Sequence, residues 1–220
     1  MGGKLFLSGG GDEKQTFEVD EIFLKSINKI LYIPLAWKND DFESCLKWFR
    51  NAMLQHKKVK LKMLTNLTKK ITLKDYDAIY IGGGNTFKLL KKIRESEFDK
   101  ELLDYYDDGG IIYGGSAGAI IFGRDIRTAL MCKDADVNEV NLKDTRGFNL
   151  AANFDIQCHF EDNQLKEHKD VVNKTNFNII AIPEESALLI ENGQLKAVGP
   201  KPLTIITKKR VRKVKNDEIL

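Results

Sequence analysis

The chain has 220 residues, 42% of them hydrophobic and 30% charged, with a formal net charge of +3. These values fit a globular protein with a sizeable core and predict a single α/β domain over 1–220. They leave no charge excess that would make nucleic acid or a membrane surface the expected partner. Met1-Gly2-Gly3-Lys4 runs straight into strand-like residues, and no apolar run approaches the length of a membrane span. Neither a leader nor a spanning segment is therefore expected, and the expected location is the cytoplasm. Cys45, Cys132 and Cys158 are an odd number without paired spacing, which suits a reducing compartment. Neither HExxH nor CxxC occurs and the three histidines are scattered, so no metal and no other cofactor is expected.

Strand and helix signals alternate from the start. Lys4 to Ser8 reads as a strand that empties into Gly9-Gly10-Gly11, and Val19, Ile22, Phe23 and Ile27 carry helical spacing. Ile30 to Pro34 is a second strand, apolar throughout as when both faces are covered. Asp40 with Glu43 three residues on resembles a capping box, opening a helix with Phe42, Cys45, Leu46, Phe49 and Met53 on one face. His56 beside Lys57-Lys58 reads as a solvated surface residue. Val59 to Leu64 alternates like a strand near a sheet edge, and Tyr76 to Ile81 is another apolar strand, ending in Gly82-Gly83-Gly84-Asn85-Thr86. A helical face then runs from Phe87 to Leu103. This βαβα order predicts a doubly wound, mostly parallel sheet with its ligand crevice at the carboxyl ends of the strands.

The next strand delivers Gly114-Gly115-Ser116-Ala117-Gly118. Gly-x-Ser-x-Gly between an apolar strand and a small-residue helix start has the form of a nucleophile elbow, which lifts a serine Oγ above the sheet. The Gly82–Gly84 turn lacks the spacing of a dinucleotide fingerprint or phosphate loop. Its exposed amides, those of Gly83 and Gly84, instead suit one half of an oxyanion hole, with the Ala117 N–H as the other half. From Arg124 to Gly147 the chain is polar and aperiodic, a region of loops and short strands suited to substrate recognition.

Phe154 to Phe160 alternates like a strand, which sets Cys158 and His159 on opposite faces and makes Cys158 a buried apolar residue. His168 sits among Lys166, Glu167, Lys169 and Asp170 and reads as solvated. Ile179 to Pro183 is a buried strand that delivers Glu184-Glu185, and Asn192-Gly193 joins a hairpin. A serine nucleophile needs a base, almost always histidine, and of the three only His159 ends an apolar strand. The carboxylate that would orient it is Glu184 or Glu185. The order Ser, His, Glu is not that of α/β-hydrolases. The basic run Lys208 to Lys215 alternates as a charged edge strand does, the use preferred over a nucleic-acid patch.

Gly82-Gly83-Gly84-Asn85-Thr86, Gly115-Ser116-Ala117-Gly118-Ala119, Ile126-Arg127-Thr128, His159-Phe160 and Ile182-Pro183-Glu184 together resemble the peptidase E family, cytoplasmic aspartyl dipeptidases to which cyanophycinases are related. The resemblance runs from the first strand to the hairpin near Asn192. It implies a class I glutamine-amidotransferase-like, flavodoxin-like three-layer fold. It also implies a Ser116-His159-Glu184 triad, which favours Glu184 over Glu185, and oxyanion donors at Gly83, Gly84 and Ala117. An aspartate once proposed as the family's third triad member has no counterpart in Ala129-Leu130-Met131-Cys132. The implied activity is serine-type hydrolysis of short peptides, notably dipeptides with N-terminal Asp, whose side chain calls for a cation. Arg127 is the first candidate for that role and Arg124 the second. The alternatives are a non-catalytic small-ligand module and a cyanophycinase-like hydrolase of isoaspartyl peptides.

Overall fold

The structure, a computed structural model, describes residues 2–132 and 134–220. The strands are β1 (Lys4–Ser8), β2 (Lys29–Ile33), β3 (Lys60–Met63), β4 (Ala78–Ile81), β5 (Ile111–Gly115), β6 (Asp155–Gln157), β7 (Ile179–Ala181), β8 (Ala187–Glu191), β9 (Gln194–Val198), β10 (Leu203–Ile206) and β11 (Val211–Val214). The helices are α1 (Phe17–Leu24), α2 (Phe42–Leu54), α3 (Thr86–Glu95), α4 (Phe98–Asp107), α5 (Ala117–Ile120) and α6 (Leu165–Lys174).

Seven strands form one sheet in the order β3-β2-β4-β5-β1-β8-β9. The pairs from β3 to β1 are parallel, and the hairpin β8–β9 adds two antiparallel strands beside β1. The inner parallel strands β2, β4, β5 and β1 are apolar on both faces because both are covered. On one face Phe6, Tyr32, Tyr80 and Tyr113 pack against Val19 and Phe23 of α1 and Cys45, Phe49 and Met53 of α2. On the other, Leu5, Leu7, Leu31, Ile79 and Ile112 pack against Leu89, Leu90 and Ile93 of α3 and Leu102 of α4. The result is the doubly wound, mostly parallel α/β arrangement expected from the alternation, and the three-layer, flavodoxin-like fold that the resemblance implies. The hairpin turn follows its Asn-Gly signal, with Asn192 at φ 52° and Gly193 at φ 73°. β3 is an edge strand, as its alternation requires. Among the described residues no helix is long and apolar enough to cross a membrane.

Periodicity did not separate out a second sheet. β11-β10-β7-β6 form four strands of their own, with β6 and β7 parallel and the others antiparallel. Phe160, Val172, Phe177, Ile179, Ala181 and Ile206 make its local core with α6. The basic run does form an edge strand there, β11.

Other expectations need correcting. Asp41, not Asp40, caps α2, accepting from Ser44 N–H at 3.1 Å, while Asp40 is drawn to Lys88 and Lys92. The helical face after the Gly82–Gly84 turn breaks into α3 and α4 at Glu97, whose φ is 57°. Among its described residues the 124–147 stretch holds a 3-10 turn over Ile126–Met131 and one bridge, Asp125 to Arg146, in place of short strands. His168 is buried against Phe160, ring centroids 5.5 Å apart, because α6 turns that position toward the small sheet. His56 is half-buried against Phe17 at 4.3 Å. Charged sequence neighbours misled in both cases, since a helix aims residues by angle rather than by adjacency.

Candidate active site

β4, β5 and β1 lie side by side, so the turns at their carboxyl ends are neighbours. The Gly82–Gly84 turn and the Gly9–Gly11 loop therefore flank the serine turn from either side. Ser116 stands at φ 51°, ψ −113°, a conformation that costs a non-glycine residue about 1–3 kcal/mol and persists only where the surroundings enforce it. The enforcement is visible. The Ser116 N–H donates to Ser8 O at 3.1 Å, and α5 begins at the next residue, its Ala119 and Ile120 amides donating to Ser116 O. A Cβ at Gly118 would come within 2.3 Å of Ile81 O, so only glycine lets α5 lie this close to β4.

Ser116 Oγ lies 2.7 Å from His159 Nε2, and His159 Nδ1 lies 2.7 Å from Glu184 Oε1. His159 follows the end of β6 with φ 56°, its N–H donating to Gly9 O at 3.0 Å, which turns the ring toward the serine. Glu184 follows β7 and makes the contact for which Glu185 was the rival. The second Glu184 oxygen, Oε2, accepts from Gln15 Nε2 at 2.5 Å. His159 and Glu184 side chains are about one-third exposed, at 32% and 35%, so solvent and a ligand can reach the ring. The backbone of Gly83 abuts the serine, since a Cβ there would lie 3.1 Å from Ser116 Cβ and 3.6 Å from Oγ. Ala117 opens α5, so its N–H has no intrahelical acceptor and is free to receive a charged oxygen.

These groups border a crevice of about 1060 Å³. It is also lined by Trp37 and Trp48, with ring centroids 6.2 Å apart, and by Lys38 and Lys88. Lys88 is engaged by Trp37 O and by Asp40. Asp136 lines the crevice too, with Oδ2 accepting from Thr86 N–H at 2.7 Å. Burial pushes its carboxyl above the usual range, while the Thr86 hydrogen bonds and the nearby His159 pull it back. Cys132 also lines the crevice, its Sγ 3.5 Å from Cys158 O, but burial pushes its thiol up to about 11, so it stays protonated at neutral pH. Cys158 is buried beneath the turn, its Sγ 3.6 Å from Ser116 O. The strand expected over Phe154 to Phe160 ends at Gln157, so burial just past β6 places Cys158 and the left-handed backbone of His159 turns its ring, rather than strand alternation. Among the described residues no group of three or more His, Cys, Asp or Glu is arranged to hold a metal ion.

Arg127 is not brought to the crevice. Its guanidinium lies 2.6 Å from Asp125 and over the Phe177 ring at 5.4 Å, in a separate, smaller cleft. Arg124 lines the same cleft and forks onto Asp155 at 3.1 and 2.6 Å. A carboxylate two residues before Arg127, and one at the start of β6, hold the two candidate cations where they fold. Sequence reasoning missed Gln15 as a neighbour of the triad side chains, and weighed Asp136 only as one of the loop acids, with Asp125, Asp134 and Asp144, that an α/β-hydrolase order would need. The signal for Gln15 was weak, a polar residue just past a glycine loop on the correct sheet edge.

The model of peptidase family S51 matches residues 5–198. Peptidase E of Salmonella paratyphi A is 31% identical over 136 residues, 56% of this chain and 56% of that protein. The chain thus aligns with little more than half the length of that relative. Peptidase E of Haemophilus influenzae is 26% identical over 190 residues, 80% of this chain and 83% of its own. A Listeria monocytogenes EGD-e protein described as a candidate peptidase E superposes with a TM-score of 0.73 at 22% identity, covering 90% of this chain and 99% of that one. A peptidase from an acI-B1 actinobacterium gives 0.70 at 19% identity over 100% and 97%. At these identities the two structures speak for the fold alone.

Proposed function

The chain belongs to peptidase family S51, and from that premise we propose that it is a serine-type peptidase cleaving short peptides through an acyl-enzyme on Ser116. The observation that supports this is the unbroken line Ser116 Oγ–His159–Glu184, with a 2.7 Å contact at each step. In this reading His159 Nε2 takes the Ser116 proton as Oγ attacks the peptide carbonyl. The tetrahedral oxyanion settles among the Gly83, Gly84 and Ala117 amides. The amine leaves with the proton from His159, and water then repeats the sequence to free the acid and Ser116. Glu184 stays ionised, holds the Nδ1–H tautomer and stabilises the imidazolium as it forms.

For the substrate we propose dipeptides with N-terminal Asp. With Arg127 and Arg124 turned to other carboxylates, Lys38 is the cation assigned to the substrate's acidic side chain. The volume of the crevice, at the upper end for small-molecule sites, favours a second reading in which a branched isoaspartyl peptide is accommodated. The test is mass spectrometry after treatment with a serine-directed fluorophosphonate, followed by a panel of Asp-Xaa, Xaa-Asp and isoaspartyl dipeptides. We expect one adduct on Ser116, none in Ser116→Ala, and turnover that the same substitution abolishes. A wild-type protein without an adduct would overturn the peptidase and leave a small-ligand module. Cleavage confined to isoaspartyl peptides would replace only the substrate.

A further inference from the structure

Glu184 has two carboxylate oxygens, and both are occupied. Oε1 faces His159 Nδ1 at 2.7 Å and Oε2 receives Gln15 Nε2 at 2.5 Å. Gln15 is itself held at its other end, because its Oε1 accepts from Asp12 N–H at 2.9 Å. Asp12 in turn fixes the backbone on which Gln15 stands, its Oδ1 accepting from the Lys14 and Gln15 amides at 2.9 and 3.0 Å. The side-chain amide is thus a bracket between the loop after β1 and the carboxylate after β7. The loop is pressed against the same group, since a Cβ at Gly11 would lie 3.0 Å from Glu184 Cβ and 3.1 Å from Gln15 Cβ. A carboxylate about one-third exposed at the end of a loop would otherwise rotate freely about its last torsion.

We propose that Gln15 is a positioning residue for the reaction, locking the Glu184 carboxylate so that one oxygen stays on His159 Nδ1 and the ring presents Nε2 to Ser116. The proposal rests on the triad reading. It deepens that reading by extending the hydrogen-bonded line to a fourth side chain from a different loop. Gln15 touches neither Ser116 nor the crevice's reacting atoms and acts through Glu184 alone. A donor in this place also withdraws charge from the carboxylate, so the residue sets how strongly Glu184 favours the imidazolium.

The experiment reads His159 directly and needs no knowledge of the natural substrate. With only three histidines in the chain, [¹⁵N]imidazole labelling and NMR resolve His159 from His56 and His168 in the full-length protein. The remaining charged groups of its crevice are Asp134, Asp136, Glu139, Glu161, Lys38 and Lys88, and the substitutions at position 15 leave all of them in place. Gln15→Met removes the donor, and Gln15→Lys keeps a donor while adding a charge. In Gln15→Met we expect loss of the exchange-protected Nδ1–H signal of His159. We also expect a fall of about tenfold in kcat for p-nitrophenyl acetate, with KM changed less than about twofold. In Gln15→Lys the signal is kept, and His159 titrates about one pH unit lower because the ammonium competes for the Glu184 charge. His56 and His168 titrate as in the wild type in both variants and report intact folding. A Gln15→Met protein that keeps the wild-type Nδ1–H signal, or a Gln15→Lys protein whose His159 titrates unchanged, overturns the proposal. Absence of a fluorophosphonate adduct in the wild type would instead overturn the peptidase reading, whatever position 15 does to His159.

Discussion

In a Gly10→Ala variant the new methyl carbon would stand 2.4 Å from His159 Cε1, 2.9 Å from Nε2 and 3.1 Å from Ser116 Cβ. Ordinary contact at such a carbon begins at 3.4 Å, so the imidazole must retreat by about 1 Å or the loop after β1 must lift away. Either movement breaks the 2.7 Å contact with Ser116 Oγ. A misplacement of about 1 Å in a reacting group typically costs on the order of a hundredfold in rate. The backbone adds its own cost, because φ is +91° at this residue and alanine pays about 1–3 kcal/mol for such conformations. Part of that is offset, by roughly 0.4–1 kcal/mol, through the lower entropy of the unfolded alanine chain. The assay is the second-order rate of Ser116 labelling by a fluorophosphonate, which needs no knowledge of the substrate, alongside a urea unfolding curve. Labelling is expected to slow about a hundredfold in a protein destabilised by about 1–2 kcal/mol. An alanine variant that labels at the wild-type rate would refute the placement of His159 against this loop.

Further outcomes follow from other contacts. Asp20 is fully buried and hydrogen-bonded by Thr16 Oγ1 and Tyr113 OH, and burial pushes its carboxyl up to about 7. The folded state therefore holds a proton that the unfolded chain releases near its ordinary value of 3.8, so this contribution to stability is full below that pH and lost as pH rises toward about 7. Urea midpoints of Asp20→Asn should lack this decline, and a decline identical to the wild type's would contradict it. Arg124→Met leaves the buried Asp155 carboxylate without its fork and should cost about 3 kcal/mol by urea unfolding, with substantial recovery in Arg124→Met/Asp155→Asn. If the proposed substrate is right, Lys38→Met should raise KM for Asp-Xaa dipeptides about fivefold or more, whereas Arg127→Met should move it less than about twofold. A larger effect from Arg127 would return that residue to substrate recognition.

Particular residues show why some of this molecule is readable from its chain and some is not. The elbow is legible because Gly114, Gly118 and the apolar strand before them are local requirements of a tight strand-to-helix passage. The neighbouring Gly82–Gly84 turn is legible because alternating strands and helices fix where parallel strands end. The small sheet is not, because β6 and β7 are three residues long and buried strands carry no period that assigns them to one sheet or another. His159 lines the crevice, and packing rather than solvation holds the other two histidines elsewhere. His168 is set aside by burial against Phe160 rather than by solvation. Arg127 shows the limit most clearly. An arginine in a polar loop has reach in every direction, and its pairing with Asp125 and Phe177 is decided by tertiary packing that no spacing records.

The serine and the amides around it hang from the seven-stranded sheet, whereas His159 and Glu184 hang from the four-stranded one. The proposed proton relay, strung across that seam, would act as a thermal fuse. Sub-global openings in proteins follow cooperative units of unequal stability. Ile156 and Ile180 share one core with Ile79 and Ile112, so the part of the small sheet that can open first is its α6 side, which has a small core of its own beside the charged edge strand β11. When it does, the large sheet would keep its strained serine and its pocket but lose the imidazole. Warming would then yield a folded, ligand-competent and chemically idle protein over some degrees before bulk unfolding. Hydrogen exchange at Ile179 and Ile206 should quicken in step with the loss of Ser116 reactivity, while Ile79 and Ile112 stay protected.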